Sequence, residues 1–502
     1  MVAIRNAVAL FCTLSLLFSA TPVAAKEHAI SHHVHSHTHD LSHGHSHEKS
    51  HKHHKHGHHD PHGGKELNHE KWKGYKIRLN KPKLCDPKVK QYSGYVDTPD
   101  NKHLFFWFFE ARHNPKKAPF TVWLNGGPGC SSMIGLFEEL GPCRVNEHGE
   151  AKVNKHSWNE ASNILFLDQP AAVGFSYGTS DVNTTPKAGK DVYAFLQIFF
   201  EHFKEYRHLP FHFFGESYGG HYIPNFSRII VENNKKIKQG KAEGHIINIK
   251  SAGVGNGWTK GLVQYKYYPI YACNNDYGPV LDKETCKKSL EDYETKCKPK
   301  LQQCLKNPKD LKTCVEAEDI CQEVTFGPFY EKSDRNYYDI REPRNWTIPN
   351  QWETIYLQND KIKQALGVDP KLQYQSCNDK INENFYNQAD HDLNFDQHIG
   401  YLLDNDVRVL LYAGTADFIC NTLGFSAMAD QIKWKGGKGY KKAKFHPWRV
   451  DGHGHVVGEA KHYKNLVYAT IKDAGHEVPY YKPKESLYMF KRWINDKPFY
   501  QH

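Results

Sequence analysis

The pentapeptide Gly215-Glu216-Ser217-Tyr218-Gly219 lies between an apolar run, Phe211-His212-Phe213-Phe214, and a helix-like stretch, His221-Tyr222-Ile223-Pro224-Asn225-Phe226. A G-x-S-x-G sequence placed this way predicts a strand that turns directly into a helix. Small residues on either side let the chain turn so sharply that the serine hydroxyl stands exposed above a sheet. Five-residue patterns recur by chance, so the flanking strand and helix are what give this one weight.

A serine hydroxyl needs an adjacent base, and the base needs an orienting acid. Downstream, Val407-Arg408-Val409-Leu410-Leu411-Tyr412 reads as a buried strand followed by Ala413-Gly414-Thr415-Ala416-Asp417. Leu466-Val467-Tyr468-Ala469-Thr470-Ile471 is another, followed by Asp473-Ala474-Gly475-His476. Both Asp417 and His476 fall just past a strand's carboxyl end. Asp404 and Asp406 precede their strand, and His453 and His455 lie in a glycine-rich turn that reads as solvent-facing. The expected triad is Ser217, Asp417 and His476. Its order along the chain, serine then acid then histidine, is that of the α/β-hydrolase fold. The fold class expected is therefore α/β with a mixed central sheet.

An oxyanion hole needs backbone N–H groups aimed at the developing negative charge. Tyr218, immediately after the serine, supplies one. The second is expected from the loop Asn125-Gly126-Gly127-Pro128-Gly129-Cys130-Ser131-Ser132, which follows the strand-like run Phe120 to Leu124. Gly127 is the candidate donor, because a glycine lets backbone approach a ligand without an intervening Cβ.

Together, Asn125 to Ser132, Gly215 to Tyr222, Asp417 to Asn421 and Gly475 to Pro479 resemble the serine carboxypeptidases. Further matches are Leu165-Phe166-Leu167-Asp168-Gln169-Pro170 and Gly174-Phe175-Ser176-Tyr177, and the similarity runs from about Gln91 to the C-terminus. The resemblance implies a monomeric or dimeric hydrolase, without cofactor or metal, that removes single C-terminal amino acids from peptides and proteins at acid pH. It assigns Asn125, Gly126 and Glu216 to the substrate's free carboxylate, with Glu139 bonded to Glu216. Two neighbouring carboxyls do not both ionise, so this pair holds a proton that is lost as pH rises. It also places Ile134, Glu138 and Glu477 in the leaving-group pocket, and Trp258 and Phe326 in the acyl pocket. Glutamate after the catalytic histidine is found in basic-preferring members, so a basic departing residue is the expectation. Serine carboxypeptidase-like acyltransferases are the rival enzyme class, and retention of Asn125, Glu139 and Glu216 favours the peptidase.

Twelve cysteines suit an oxidising compartment. The resemblance implies bridges Cys130–Cys377, Cys273–Cys286, Cys297–Cys321 and Cys304–Cys314, with Cys420 a free thiol. Cys12 lies in the leader, which leaves Cys85 and Cys143 for a fifth bridge. Asn183 and Asn345 head glycosylation sequons in loop-like surroundings, whereas the Asn225 sequon falls in the helix after the serine.

Residues 1–25 carry Arg5, an apolar run from Ala7 to Phe18 and small residues at Val23-Ala24-Ala25, the pattern of a signal peptide. Entry into the secretory pathway is expected, ending in a vacuole- or lysosome-like compartment or outside the cell. Residues 26–69 contain sixteen histidines between His28 and His62, and so few large apolar residues predict disorder. Two readings stand: a removable propeptide whose imidazoles charge on acidification, and a transition-metal-binding tract. Residues 70–257 supply the first part of the hydrolase core and 396–502 the second. Between them, 258–395 is richer in charge and cysteine and reads as an inserted helical lid. A net charge of +10, scattered without a basic stripe or a phosphate-binding loop, excludes a nucleic-acid reading. No second apolar stretch is long enough to anchor the chain in a membrane.

Overall fold

The computed structural model describes residues 65–68, 73–347, 351–450 and 454–499. The signal-peptide and histidine-rich readings, and His453, lie outside these residues.

The sheet is built around long apolar runs. β1 (Lys65–Asn68), β2 (Lys76–Asn80), β3 (Gln91–Asp97) and β4 (Lys102–Phe109) form an antiparallel flank. β5 (Phe120–Leu124), β6 (Asn163–Leu167), β7 (Phe211–Ser217), β8 (Ile249–Gly257) and β9 (Arg408–Gly414) follow. β10 (Phe445–Trp448), β11 (Gly458–Tyr463) and β12 (Leu466–Ile471) complete the row, and the two-residue strand Tyr177–Gly178 pairs with β4 beside it. The order across the sheet is β1-β2-β3-β4-β6-β5-β7-β8-β9-β12-β11-β10. From β6 to β12 every neighbouring pair is parallel, and the flanks are antiparallel. This is the mixed sheet expected from the sequence.

Strand alternation splits the core between the two faces. Leu104, Phe106 and Phe108 of β4 join one cluster, and Phe105, Trp107 and Phe109 join the other. On the first face pack helices α1 (Thr185–His202) and α2 (Gly219–Lys238), through residues such as Phe195, Phe199, Phe226 and Ile230. On the second, Met489, Phe490 and Trp493 of the helix Pro483–Ile494 pack with Trp158. Removing one such buried aromatic side chain costs about 3–5 kcal/mol.

Between β8 and β9 the described chain is helical, from Gly261–Gln264 to Asp396–Leu403. Cys273–Cys286, Cys297–Cys321 and Cys304–Cys314 are bridged inside this segment. Cys130–Cys377 ties it to the loop after β5, and Cys85–Cys143 lies apart from it. Cys420 is a buried free thiol. Among the described residues no helix is long and apolar enough to cross a membrane.

Candidate active site

The loops after β5, β7, β8, β9 and β12 all leave the carboxyl edge of the parallel strands, where ligands of open α/β sheets bind. They carry Asn125 to Ser132, Trp258, Asp417 and His476, and Ser217 ends β7 at the same edge.

Ser217 is the last residue of β7 and has φ = 59°, the left-handed conformation that a sharp strand-to-helix turn imposes. Packing explains the neighbouring glycines. A Cβ at Gly215 would lie 2.6 Å from the Leu124 carbonyl oxygen, and one at Gly220 would lie 2.3 Å from that of Trp258. Gly219, the second glycine of the sequence pattern, has room for a Cβ. The helix α2 extends well past the predicted His221–Phe226 and runs through Pro224 to Lys238.

His476 Nδ1 lies 2.9 Å from Asp417 Oδ2, and its Nε2 is buried without a hydrogen-bond partner. The His476 N–H donates to the Tyr338 carbonyl at 2.8 Å, which fixes the residue from its backbone side. Asp417 is fully buried. Its Oδ2 also accepts from Asn256 Nδ2 (2.8 Å) and the Cys420 N–H (3.2 Å), and its Oδ1 from the Ile419 N–H (3.1 Å). Asn256 has no counterpart in the sequence reading. It sits near the end of β8, and its side-chain oxygen accepts from the Gly414 N–H at 3.0 Å, so one amide links β8, β9 and the acid. Its only sequence signal is a polar residue inside the glycine-rich strand end Gly255-Asn256-Gly257.

Asp417, Cys420 and His476 could face a metal ion, since one ligand atom of each lies within 4.8 Å of the others. The chemistry argues against it. The acid and the imidazole already bond each other, and burial pushes the Cys420 thiol well up, away from the thiolate a metal takes.

Gly126 presses against the turn at Ser217: a Cβ there would fall 2.4 Å from the Tyr218 backbone nitrogen. Gly127 has φ = 104°, a conformation glycine adopts without cost. Asn125 is held by its oxygen, which accepts from Trp123 Nε1 (2.8 Å) and the Gly135 N–H (2.9 Å). Its amide nitrogen therefore donates outward, to Glu139 Oε1 at 3.0 Å and Glu216 Oε1 at 2.9 Å. Burial, then the facing Glu139 and Glu477, pushes the Glu216 carboxyl well up. Glu139 is raised by burial against the opposing pull of its bonds to Glu216 and Asn125.

Glu138 and Glu477 are buried as well. Burial and then Glu353 push Glu138 well up, while burial followed by Glu139 and Glu353 does the same to Glu477. Burial and crowding thus disfavour negative charge on both carboxyls. Glu353 was not foreseen. It lies on the short helix Trp352–Leu357 of the insertion, fully buried, and accepts from the Ser376 hydroxyl at 2.5 Å. At helical spacing a lone glutamate reads as a solvated face, and only tertiary packing buries it. Arg144 is the cation near this group, its guanidinium bonded to the carbonyls of Glu139 and Pro479.

Trp258 donates its backbone N–H to the Ser217 carbonyl (2.9 Å) and its indole N–H to the His391 carbonyl (2.9 Å). Its ring stacks on Tyr268, which meets Phe326 edge-on with centroids 5.9 Å apart. Trp258 therefore adjoins the serine, and Phe326 stands one aromatic ring behind it. Ile134 is buried at the start of the turn Gly135–Glu139. Asn345 is exposed and Asn183 half-buried, whereas Asn225 is buried in α2.

The model of the family described as serine carboxypeptidase matches residues 82–496. The chain belongs to the serine carboxypeptidase family. Among curated relatives, carboxypeptidase Y homolog A of Leptosphaeria maculans is 42% identical over 436 residues, 84% of this chain and 77% of that protein. Carboxypeptidase Y of Komagataella phaffii is 41% identical over 428 residues, 84% of this chain and 79% of its own. Among solved structures, Kex1(Δ)p of Saccharomyces cerevisiae, a prohormone-processing carboxypeptidase, superposes with a TM-score of 0.70 at 24% identity, over 83% of this chain and 94% of that one. That likeness supports the α/β-hydrolase fold. This serine carboxypeptidase is accordingly a hydrolase of peptide substrates.

Proposed function

We propose that this carboxypeptidase releases single C-terminal residues at acid pH through an acyl-enzyme on Ser217. His476 Nε2 takes the serine proton as Oγ attacks the scissile carbonyl, and Asp417 holds the imidazole in the tautomer that leaves Nε2 free. The N–H groups of Tyr218 and Gly127 receive the oxyanion. His476 returns the proton to the departing amine, and water then cleaves the acyl-enzyme. The observation that carries this reading is the His476–Asp417 bond at 2.9 Å with Nε2 left unpartnered, at the same edge of the sheet as a serine in a left-handed turn.

Asn125, Gly126 and Glu216 bind the substrate carboxylate, with Glu139 sharing the proton that Glu216 donates to it. Loss of that proton makes the site repel its ligand, which sets an acid working range. Residues 258–395 form the lid, the secretory pathway is the destination, and Asn183 and Asn345 are the glycan acceptors. A blocked dipeptide incubated at pH 5 with wild type and with Ser217→Ala tests the reading. Wild type releases the terminal amino acid and the variant does not; equal release by both overturns it.

A further inference from the structure

Asp168 has no part in the chemistry above, yet it is fully buried and makes no ion pair among the described residues. It directly follows β6. Its Oδ1 accepts from the Ser131 hydroxyl (2.6 Å) and the Ser132 N–H (3.0 Å), and its Oδ2 accepts from the Phe175 N–H (2.9 Å). Its carbonyl accepts from the Ser176 hydroxyl at 2.7 Å, and that oxygen in turn accepts from the Phe105 N–H at 2.7 Å. Ser131 and Ser132 close the loop that opens at Asn125. The Asn125 N–H donates to Ser132 Oγ (3.3 Å), and the Ser132 hydroxyl donates to the Leu167 carbonyl (2.6 Å).

We propose that Asp168 is a positioning residue that sets the oxyanion hole and the carboxylate site at once, by clamping the far end of the Asn125–Ser132 loop to the end of β6. The inference rests on the proposed roles of Asn125, Gly126 and Gly127. Those three groups need placement within a fraction of an ångström. At its near end the loop has no slack, because Gly126 already abuts the Tyr218 nitrogen. At its far end two of the three donors to Asp168 belong to the loop. The insertion steadies the same stretch from the other side, where the Ser131 N–H donates to the Ser376 carbonyl (2.7 Å) and the Asn378 N–H to that of Gly129 (2.9 Å).

Room for this carboxylate is built in. A Cβ at Gly174, whose φ is +55°, would lie 2.1 Å from Asp168 Oδ2. Burial without a cation pushes the Asp168 carboxyl up to about 6, against the pull of its three donors. Tyr95 and Tyr374 also face it, and neither offers positive charge. The Ser131 hydroxyl can donate to the carboxylate or accept from the protonated acid. The clamp therefore holds on both sides of that titration.

The test compares wild type with Ser131→Ala, Asp168→Asn and Ser217→Ala. Each is assayed on a blocked dipeptide and on the matching C-terminal ester. Active sites are counted by stoichiometric labelling with a serine-directed organophosphorus fluoride. Ser131→Ala should lower kcat per active site about tenfold on both substrates, as expected when reacting groups are displaced by part of an ångström. KM should rise for the peptide and stay unchanged for the ester. Asp168→Asn should show the same split with a larger loss, and Ser131→Ala decides alone if Asp168→Asn does not fold. Wild-type kcat on both substrates in folded Ser131→Ala, with Ser217→Ala inactive, overturns the positioning role and leaves the triad standing. Activity in Ser217→Ala overturns the reading beneath it.

Discussion

The two sides of Ser217 treat buried carboxylates in opposite ways. On the Asp417 side one acid meets Asn256, two backbone N–H groups and His476. On the other side Glu138, Glu139, Glu216, Glu353 and Glu477 face mainly one another, with Asn125, Arg144 and, for Glu353, the Ser376 hydroxyl as the donors nearby. All six side chains are buried. The two sides differ in donor supply at similar burial, and on the second side burial, joined by neighbouring carboxyls at Glu138, Glu216 and Glu477, raises Glu138, Glu139, Glu216 and Glu477. In the proposed mechanism the surrounded acid orients the base, and the crowded acids hand a proton to the substrate carboxylate.

The largest effects should come from breaking the first side. Ser217→Ala or His476→Ala should lower kcat by roughly 10⁵–10⁶ with the fold intact, the scale found when a triad member is removed. Asp417→Asn should cost about 10⁴ in kcat, since it presents the wrong partner to Nδ1. Steady-state kinetics on a blocked dipeptide at pH 5 measures both. Near-normal turnover in Asp417→Asn would mean the acid does not orient His476.

Breaking the second side should act through binding. Glu216→Ala removes a hydrogen bond to a charged ligand and should raise KM for peptides roughly 10–100-fold, with ester KM unchanged. Glu216→Gln, which keeps a donor at every pH, should instead make peptide KM independent of pH. An equal KM increase for peptide and ester in Glu216→Ala would show that Glu216 does not bind the substrate carboxylate.

Much of this contrast was legible in the sequence, and its limits are physical. Parallel strands buried on both faces appear as continuous apolar runs, so β5 and β12 were delimited to the residue. β8 is less legible, because its carboxyl end, Ala252 to Gly257, is glycine-rich and short of the large apolar residues that mark β5 and β12. The Asp417–His476 pair was readable because both residues follow strands at one edge of the sheet. Asn256 and Glu353 were not. The first lies inside a strand with no motif around it, and the second comes into the site from a helix more than two hundred residues away from Glu138 and Glu139. Glu138 and Glu477 were placed by resemblance, but their charge depends on neighbours that only the fold supplies.

Two smaller effects sharpen the comparison. Carboxyls raised in the folded protein bind protons more tightly there than in the unfolded chain. Their contribution to stability is full below about pH 4, the unfolded value, and is lost as pH rises toward the folded value. The Tm should therefore fall as pH is raised from 5 to 8, and Glu138→Gln should flatten that fall; an unchanged slope in thermal scans would mean Glu138 is already ionised. Specificity should shift least. A lysine or arginine leaving group must displace a bound proton, so the kcat/KM ratio of blocked Phe-Arg to blocked Phe-Leu should rise with pH. Glu477→Met should lower it by several-fold, corresponding to about 1 kcal/mol for a partly closed charge pair. A ratio unmoved by both pH and Glu477→Met would remove these glutamates from specificity.

The most direct measurement is KM against pH, from 4.5 to 8, for a blocked dipeptide and its C-terminal ester. If the Glu139–Glu216 pair carries the proton that the substrate carboxylate needs, peptide KM climbs as pH rises across this range while ester KM stays nearly level and kcat changes less than KM. Parallel alkaline increases in KM for both substrates, or a flat peptide KM to pH 8, would contradict a protonated acid pair on that side of the serine.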